Sequence, residues 1–267
     1  MNDENAWGSG DVYAMSVGQE NSLRKVISEE TTWAARPEVS PDGKRILYSS
    51  YRGRQWYQLW LTNLNGQSPL PLTFGEFDRK NARWSYDGKQ IAFISNENGN
   101  TELVVQDVVG GSQRTIVAAT RKTILPMGKL TLQIFNENGV PTPARVMLQA
   151  KDNRFYAPQL AWVHADDGFD RTQQNTETQY FHCLETCNIE VPEGDVRLQV
   201  QYGLSHQLWT KNLTVNANQT KFVEVMLKAN ALPEKYGSWR SADLHVHMNY
   251  GGHYRNTPEY LLQQAKA

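Results

Sequence analysis

Cysteine is almost absent from this chain of 267 residues: Cys183 and Cys187 are the only two, too few for a disulfide framework. Charge of one sign is not in excess either. The 27 basic and 28 acidic residues leave a formal net charge of −1. With no Lys/Arg cluster or stripe, nucleic acid is not an expected partner, because phosphate binding needs grouped cations to release counterions. No apolar run approaches the roughly 20 residues that span a bilayer. The start, Met1-Asn-Asp-Glu-Asn-Ala-Trp-Gly8, lacks the basic residues and apolar stretch of a signal peptide. A phosphate-binding loop is excluded, since Gly251-Gly252 is followed by His253-Tyr254 and not by Lys-Ser/Thr. What remains is 39% hydrophobic against 21% charged residues, enough to build packed cores in one or two domains.

A repeat organises the first part. Arg36-Pro-Glu-Val-Ser-Pro-Asp-Gly-Lys-Arg-Ile-Leu-Tyr-Ser-Ser50 aligns without gaps on Asn81-Ala-Arg-Trp-Ser-Tyr-Asp-Gly-Lys-Gln-Ile-Ala-Phe-Ile-Ser95, a spacing of 45 from Ser40 to Ser85. Asp42-Gly43 and Asp87-Gly88 tolerate the positive φ of a tight turn, so a strand is expected on either side. A second strand pair follows in each unit, around Gln58–Leu64 and Glu102–Val108. Four short strands every 45 residues read as a propeller blade. Asp11–Ser16 and Leu23–Ser28 read as the outer strands of an earlier blade. Ser40-Pro-Asp-Gly-Lys44 and the strand after it resemble the propeller repeat of TolB-type proteins, over residues 11–120. A closed propeller needs at least four blades; about two and a half are expected here, so the chain reads as an internal fragment.

A second all-β region begins near Lys129. Leu130, Leu132 and Ile134 alternate with polar residues and run into Asn138-Gly139, a hairpin signal, with Val146 and Leu148 on the return strand. Val196, Leu198, Val200 and Tyr202 share one face after Pro192-Glu-Gly194, and Val223, Val225 and Leu227 make the last alternating strand. A β-sandwich is expected, serving as a spacer. Between its halves, the aromatic-rich stretch from Phe155 to Cys187 is expected to pack its aromatic part on a neighbouring domain.

Near the C-terminus the pattern is Asp243-Leu-His-Val-His247. On a strand, Asp243, His245 and His247 point one way, while Leu244 and Val246 supply a buried backing. Two imidazoles so spaced can share one divalent ion; equally, they can be two partly exposed histidines of an ordinary strand. Asp243 is placed to orient an imidazole or approach a second ion, as the candidate catalytic carboxylate. After a Gly-Gly turn, Thr257 fits a helix N-cap, Pro258 the first helical position and Glu259 the first turn.

The string Asp243-Leu-His-Val-His-Met-Asn-Tyr-Gly-Gly252, then Tyr254-Arg-Asn-Thr-Pro-Glu259, resembles the start of the catalytic domain in CehA/McbA-type metallohydrolases, a PHP-like, amidohydrolase-related group. Members of this type also resemble the chain upstream, with a TolB-like propeller and a sandwich carrying a phrase like Phe155-Tyr-Ala-Pro158. The resemblance implies that His245 and His247 ligate a divalent metal, zinc or manganese, with Asp243 beside them, and that His253 does not. The metal would activate water for hydrolysis of a small-molecule or polymer substrate. Two histidines leave the site unfinished, so the fragment is expected to be inactive alone. It also implies a periplasmic or secreted parent.

The expected fold is therefore mainly all-β: partial TolB-like blades over 1–125, a β-sandwich over 126–230, and over 231–267 a linker with the first strand and helix of an α/β barrel-type hydrolase. The alternative function is a non-enzymatic propeller module binding a protein or envelope partner. His182-Cys183-Leu-Glu-Thr-Cys187 with His164 reads either as a zinc site or as a loop with two thiols or a local disulfide, and its spacing argues against zinc. Trp33, Trp56, Trp60 and Trp84 are expected between blade sheets, as core.

Overall fold

Short alternating stretches bounded by turn residues fold as strands throughout: seventeen strands and one helix occur among the described residues of the computed structural model. The structure describes residues 11–28, 35–52, 56–161, 179–233, 235, 237, 241–242, 244, 246 and 255–267. The chain is mainly all-β and forms two compact units, residues 1–119 with 247–256, and residues 120–246 with 257–267. No helix among the described residues is long and apolar enough to cross a membrane.

The first unit carries the repeat. Strands β1 (Val12–Ala14) and β2 (Arg24–Ile27) form a two-stranded sheet. Next come β3 (Glu38–Val39), β4 (Arg45–Ser50), β5 (Gln58–Asn63) and β6 (Leu70–Pro71), an antiparallel sheet in chain order. The third sheet repeats that order with β7 (Arg79–Trp84), β8 (Gln90–Ser95), β9 (Glu102–Asp107) and β10 (Gln113–Ile116). The two copies agree down to their turns. Gly43 N–H donates to Ser40 O and Gly88 N–H to Ser85 O, and each glycine has φ +67°. Each serine hydroxyl donates to the aspartate two residues on, and each aspartate accepts the N–H of Lys44 or Lys89 at 3.1 Å. Only the glycine takes positive φ, so these are type I turns followed by a left-handed residue rather than two-residue Asp-Gly turns. Arg36 (φ +45°) and Asn81 (φ +59°), equivalent in the repeat, share a conformation that non-glycine residues seldom adopt; at Asn81 it accompanies a break in the β7–β8 register.

Blades pack through two apolar clusters. Val12, Val26, Ile27, Ile46 and Tyr48 form one, with Trp60 against it; Leu47, Leu59, Ile91, Phe93 and Val104 form the other, with Trp84 against it. Trp60 and Trp84 thus pack, partly buried, against the blade cores, as expected of aromatics between sheets; Trp56 is partly buried but belongs to neither cluster, and Trp33 lies outside the described residues. Gly66 is demanded by closeness: a Cβ there would fall on the Val26 carbonyl oxygen.

In the second unit, β11 (Met127–Phe135) pairs antiparallel with β14 (Thr186–Pro192) and parallel with β17 (Thr220–Met226). The other sheet runs β13 (Phe181–Cys183), β12 (Ala144–Ala150), β15 (Gly194–Gln201), β16 (Trp209–Val215). The inner faces share one core. Leu130, Leu132 and Ile134 from the first sheet meet Val146, Leu148, Val196, Leu198 and Val200 from the second. The Asn138-Gly139 turn forms, with Gly139 at φ +74°, and closes a short hairpin through the antiparallel bridge of Phe135 to Pro141, but the pairing does not extend into β12. Both edges of β11 are taken by β14 and β17, so the return strand β12 crosses into the opposite sheet. The described start of the aromatic stretch packs on the sandwich itself: Tyr156, Ala157 and Ala161 lie against its core, and Phe155 bridges to Gln149 of β12. Trp162 and the residues that follow, to 178, lie outside the described residues.

The helix, α1 (Pro258–Lys266), starts as its sequence dictates. Thr257 caps it in an extended conformation (φ −122°, ψ 162°), its side chain accepts from Tyr260 N–H, and Glu259 sits in the first turn. None of its residues is buried.

Candidate functional site

Asp243, His245, His247 and His253 lie outside the described residues. Of their neighbours, Leu244 is 96% and Val246 43% exposed, so the apolar backing expected for a buried barrel strand is not packed. Among the described residues no strand falls between 231 and 267. Cys183 and Cys187 are joined in a disulfide, which takes both sulfurs away from a zinc site; His164 lies outside the described residues. Both cysteines are buried in the sandwich core, where the bond links the ends of β13 and β14 across the two sheets. Among the described residues no group of three or more His, Cys, Asp or Glu is arranged to hold a metal.

Among the described residues, a buried polar cluster lies where the second blade passes into the third, and of its residues Gln58 alone begins a strand that the repeat marked. The connection from β6 to β7 is fastened along its length. Thr73 Oγ1 accepts Leu59 N–H at 2.9 Å, and Gln58 Nε2 donates to the carbonyls of Gly75 (3.1 Å) and Phe77 (2.8 Å). Asp78, 1% exposed, then ties three segments together. Its Oδ1 accepts Tyr57 N–H at 2.8 Å, its N–H donates to Asn96 Oδ1 at 2.7 Å, and its Oδ2 accepts Asn96 Nδ2 at 3.3 Å. Arg79 follows, with a buried guanidinium that donates to Phe74 O, Glu97 Oε2 and Gln113 Oε1 and lies 4.6 Å from the Phe77 ring centroid.

Burial governs the electrostatics here. It pushes the Arg79 pKa down from the usual guanidinium value, opposed by the nearby Glu97 charge. Tyr51, stacked on Tyr57 at 3.9 Å, has its pKa pushed well up, first by burial and then by the negative charge of Asp78. Within the cluster, Arg79 Nε and Gln58 Oε1 are buried without a protein partner among the described residues. Asp78 accepts from backbone and amide donors, so the cluster orients and fastens segments.

Residue 255 joins this cluster from far along the chain. Arg255 N–H donates to Gly99 O at 2.9 Å, its Nη1 donates to Glu97 O at 3.2 Å, and its guanidinium lies 5.8 Å from the Phe77 ring centroid. The adjacent charged pair Asp78-Arg79, set between Phe77 and the start of a blade strand, was the one sequence signal that could have marked the cluster.

Comparison with known proteins bears on the blades. No family model matches the chain. It is 30% identical over 104 residues to the uncharacterized peptidase YuxL of Bacillus subtilis (strain 168), covering 35% of this chain and 16% of that protein. It is 28% identical over 74 residues to the Tol-Pal system protein TolB of Actinobacillus pleuropneumoniae serotype 5b (strain L20), covering 28% of this chain and 17% of TolB. The repeat is TolB-like. Among solved structures, TolB from Acinetobacter baumannii is similar with 19% identity and a TM-score of 0.38, covering 68% of this chain and 39% of that one. The chain spans about a sixth of the length of the curated relatives it matches. The TolB-like unit therefore rests on matched sequence and on two blades with the same turns, whereas the metallohydrolase resemblance rests on the sequence motif and the expected order of domains.

Proposed function

We propose that this chain acts as a TolB-like propeller module that binds a protein or envelope partner. The observation that carries this reading is the pair of four-stranded sheets whose serine–aspartate–glycine turns coincide at a spacing of 45 residues. Repeated blades present shaped surfaces without needing a reactive centre, and the polar cluster at Asp78 is built to hold shape. The relatives named as Tol-Pal system proteins point to components of such a system as the first partners to try. A buried disulfide favours an oxidising compartment, in keeping with a periplasmic or secreted parent. Purified chain should bind one of these components in calorimetry or interferometry. Absence of binding to all of them would remove this reading of the partner.

A second reading keeps the metallohydrolase, and the capped start of α1 directly after the motif supports it. On this reading residues 231–267 are a linker and the start of a PHP-like domain, after a propeller over 1–125 and a sandwich over 126–230. His245 and His247 ligate zinc or manganese, Asp243 stands beside them, and the parent protein hydrolyses a small-molecule or polymer substrate. Titration with zinc and manganese should then give binding that weakens at least tenfold in His245→Ala, with no turnover by this chain. Equal affinity in the variant would exclude the histidine pair as the ligands.

A further inference from the structure

The geometry points to a guanidinium-binding site on the third blade, occupied by the chain's own Arg255. Residues 247–256 belong to the first unit although the residues just before them belong to the second. Their described end is fastened at the turn between β8 and β9. The site has three parts: the carbonyl oxygen of Gly99, which takes the Arg255 backbone N–H; the carbonyl oxygen of Glu97, which takes Nη1; and the ring of Phe77. The Gly99 carbonyl holds the backbone, while the Glu97 carbonyl beside the Phe77 ring suits a planar cation that donates at its edge and stacks by its face, which arginine does and a neutral side chain does not. The blade prepares these parts independently of Arg255. Gln58 holds the Phe77 carbonyl, Gly99 N–H donates to Asn96 O to shape the turn, and Asn96 is in turn fixed by Asp78. Neighbouring Asn256 is 6% exposed, so residue 255 enters beside a buried neighbour rather than merely touching the surface.

The carboxylate of Glu97 is not part of this site; it pairs with Arg79 at 3.2 Å. That separation gives a sharp test by hydrogen exchange of the residue 255 amide in the intact chain. The wild-type amide should exchange well below the free-peptide rate. Arg255→Ala retains the amide but loses the charged donor and the ring contact, and should exchange about tenfold faster or more. Glu97→Ala removes the carboxylate but keeps the carbonyl, and should change that rate less than about twofold. An unprotected amide in the wild type, or an Arg255→Ala rate equal to wild type, would overturn the site. Release of the segment by Glu97→Ala as strong as by Arg255→Ala would overturn it too, since the carboxylate would then be the anchor. The outcome is independent of Tol-Pal binding and of metal affinity.

Discussion

Where the blades meet, the buried residues include the charged Asp78 and Arg79 beside Gln58, Asn96 and Gln106; among the described residues of the sandwich the buried polar groups are only Thr131, Thr142 and Gln199, none of them charged, around a large apolar cluster. Two ways of making a core stand side by side in one chain. Apolar burial is strong but indifferent to direction, roughly 1.5–3 kcal/mol for each large side chain, and it suits two sheets whose faces need only to meet. Repeated blades have a harder problem, because each presents similar strands to similar neighbours and could pack out of step. Hydrogen bonds of fixed length and direction, such as those from Asp78 to Tyr57 and Asn96, are satisfied in one arrangement only. The difference teaches that the blades use polar groups to fix position, while the sandwich uses apolar area for strength.

The contrast can be broken in order of expected effect. Leu132, wholly buried in the sandwich, should cost about 2–5 kcal/mol as Leu132→Ala. Hydrogen exchange should rise across β11 to β17 and stay unchanged in the blades; a rise in both would mean the units do not unfold separately. Next comes Asp78→Ala, which strands buried donors on Tyr57 and Asn96 at about 1–3 kcal/mol each. Exchange should rise across β3 to β10. If Asp78→Leu were as stable as the wild type, apolar filling would serve the blades equally well and the contrast would fail. Replacing Cys183 and Cys187 together by alanine should cost about 2 kcal/mol, because their bond closes a loop of only four residues' separation; a denaturant midpoint unmoved by reducing agent would contradict this.

Acid gives the smallest effect. Asp42 and Asp87 have pKa values below the ordinary carboxylate value, held there first by the hydroxyls of Ser40 and Ser85 and then by the N–H groups of Lys44 and Lys89. With the folded pKa below the unfolded one, their contribution is complete above about pH 4 and is lost as pH falls through the folded value. The two turns should loosen below that pH, seen as changed amide shifts at Gly43 and Gly88. The same change in Asp42→Asn at residue 43 would assign the acid effect to another group.

Much of this fold was legible. The alternation of Leu130, Leu132 and Ile134, of Val196, Leu198 and Val200, and of Val223, Val225 and Leu227 marked the buried faces, because a strand exposes its sides in turn wherever it lies. The 45-residue spacing marked both complete blades. The Asp78 cluster was not legible, since it lies outside the repeated phrase and joins segments that sequence does not bring together. Leu244 and Val246 looked like the backing of a buried strand by the same alternation, yet they are exposed; alternation prepares a face but does not supply what covers it.

What the chain settled by itself was local: the turns at Gly43 and Gly88, the cap at Thr257, the strands and their inner sides. Each depends on atoms within a few residues, so neighbouring side chains and backbone preferences suffice. Tertiary structure alone decided which sheet received β12, that Cys183 and Cys187 should be joined in the sandwich core, and that Arg255 should return to the third blade. Those outcomes turn on which distant groups lose water together, and that is fixed only when the whole chain packs.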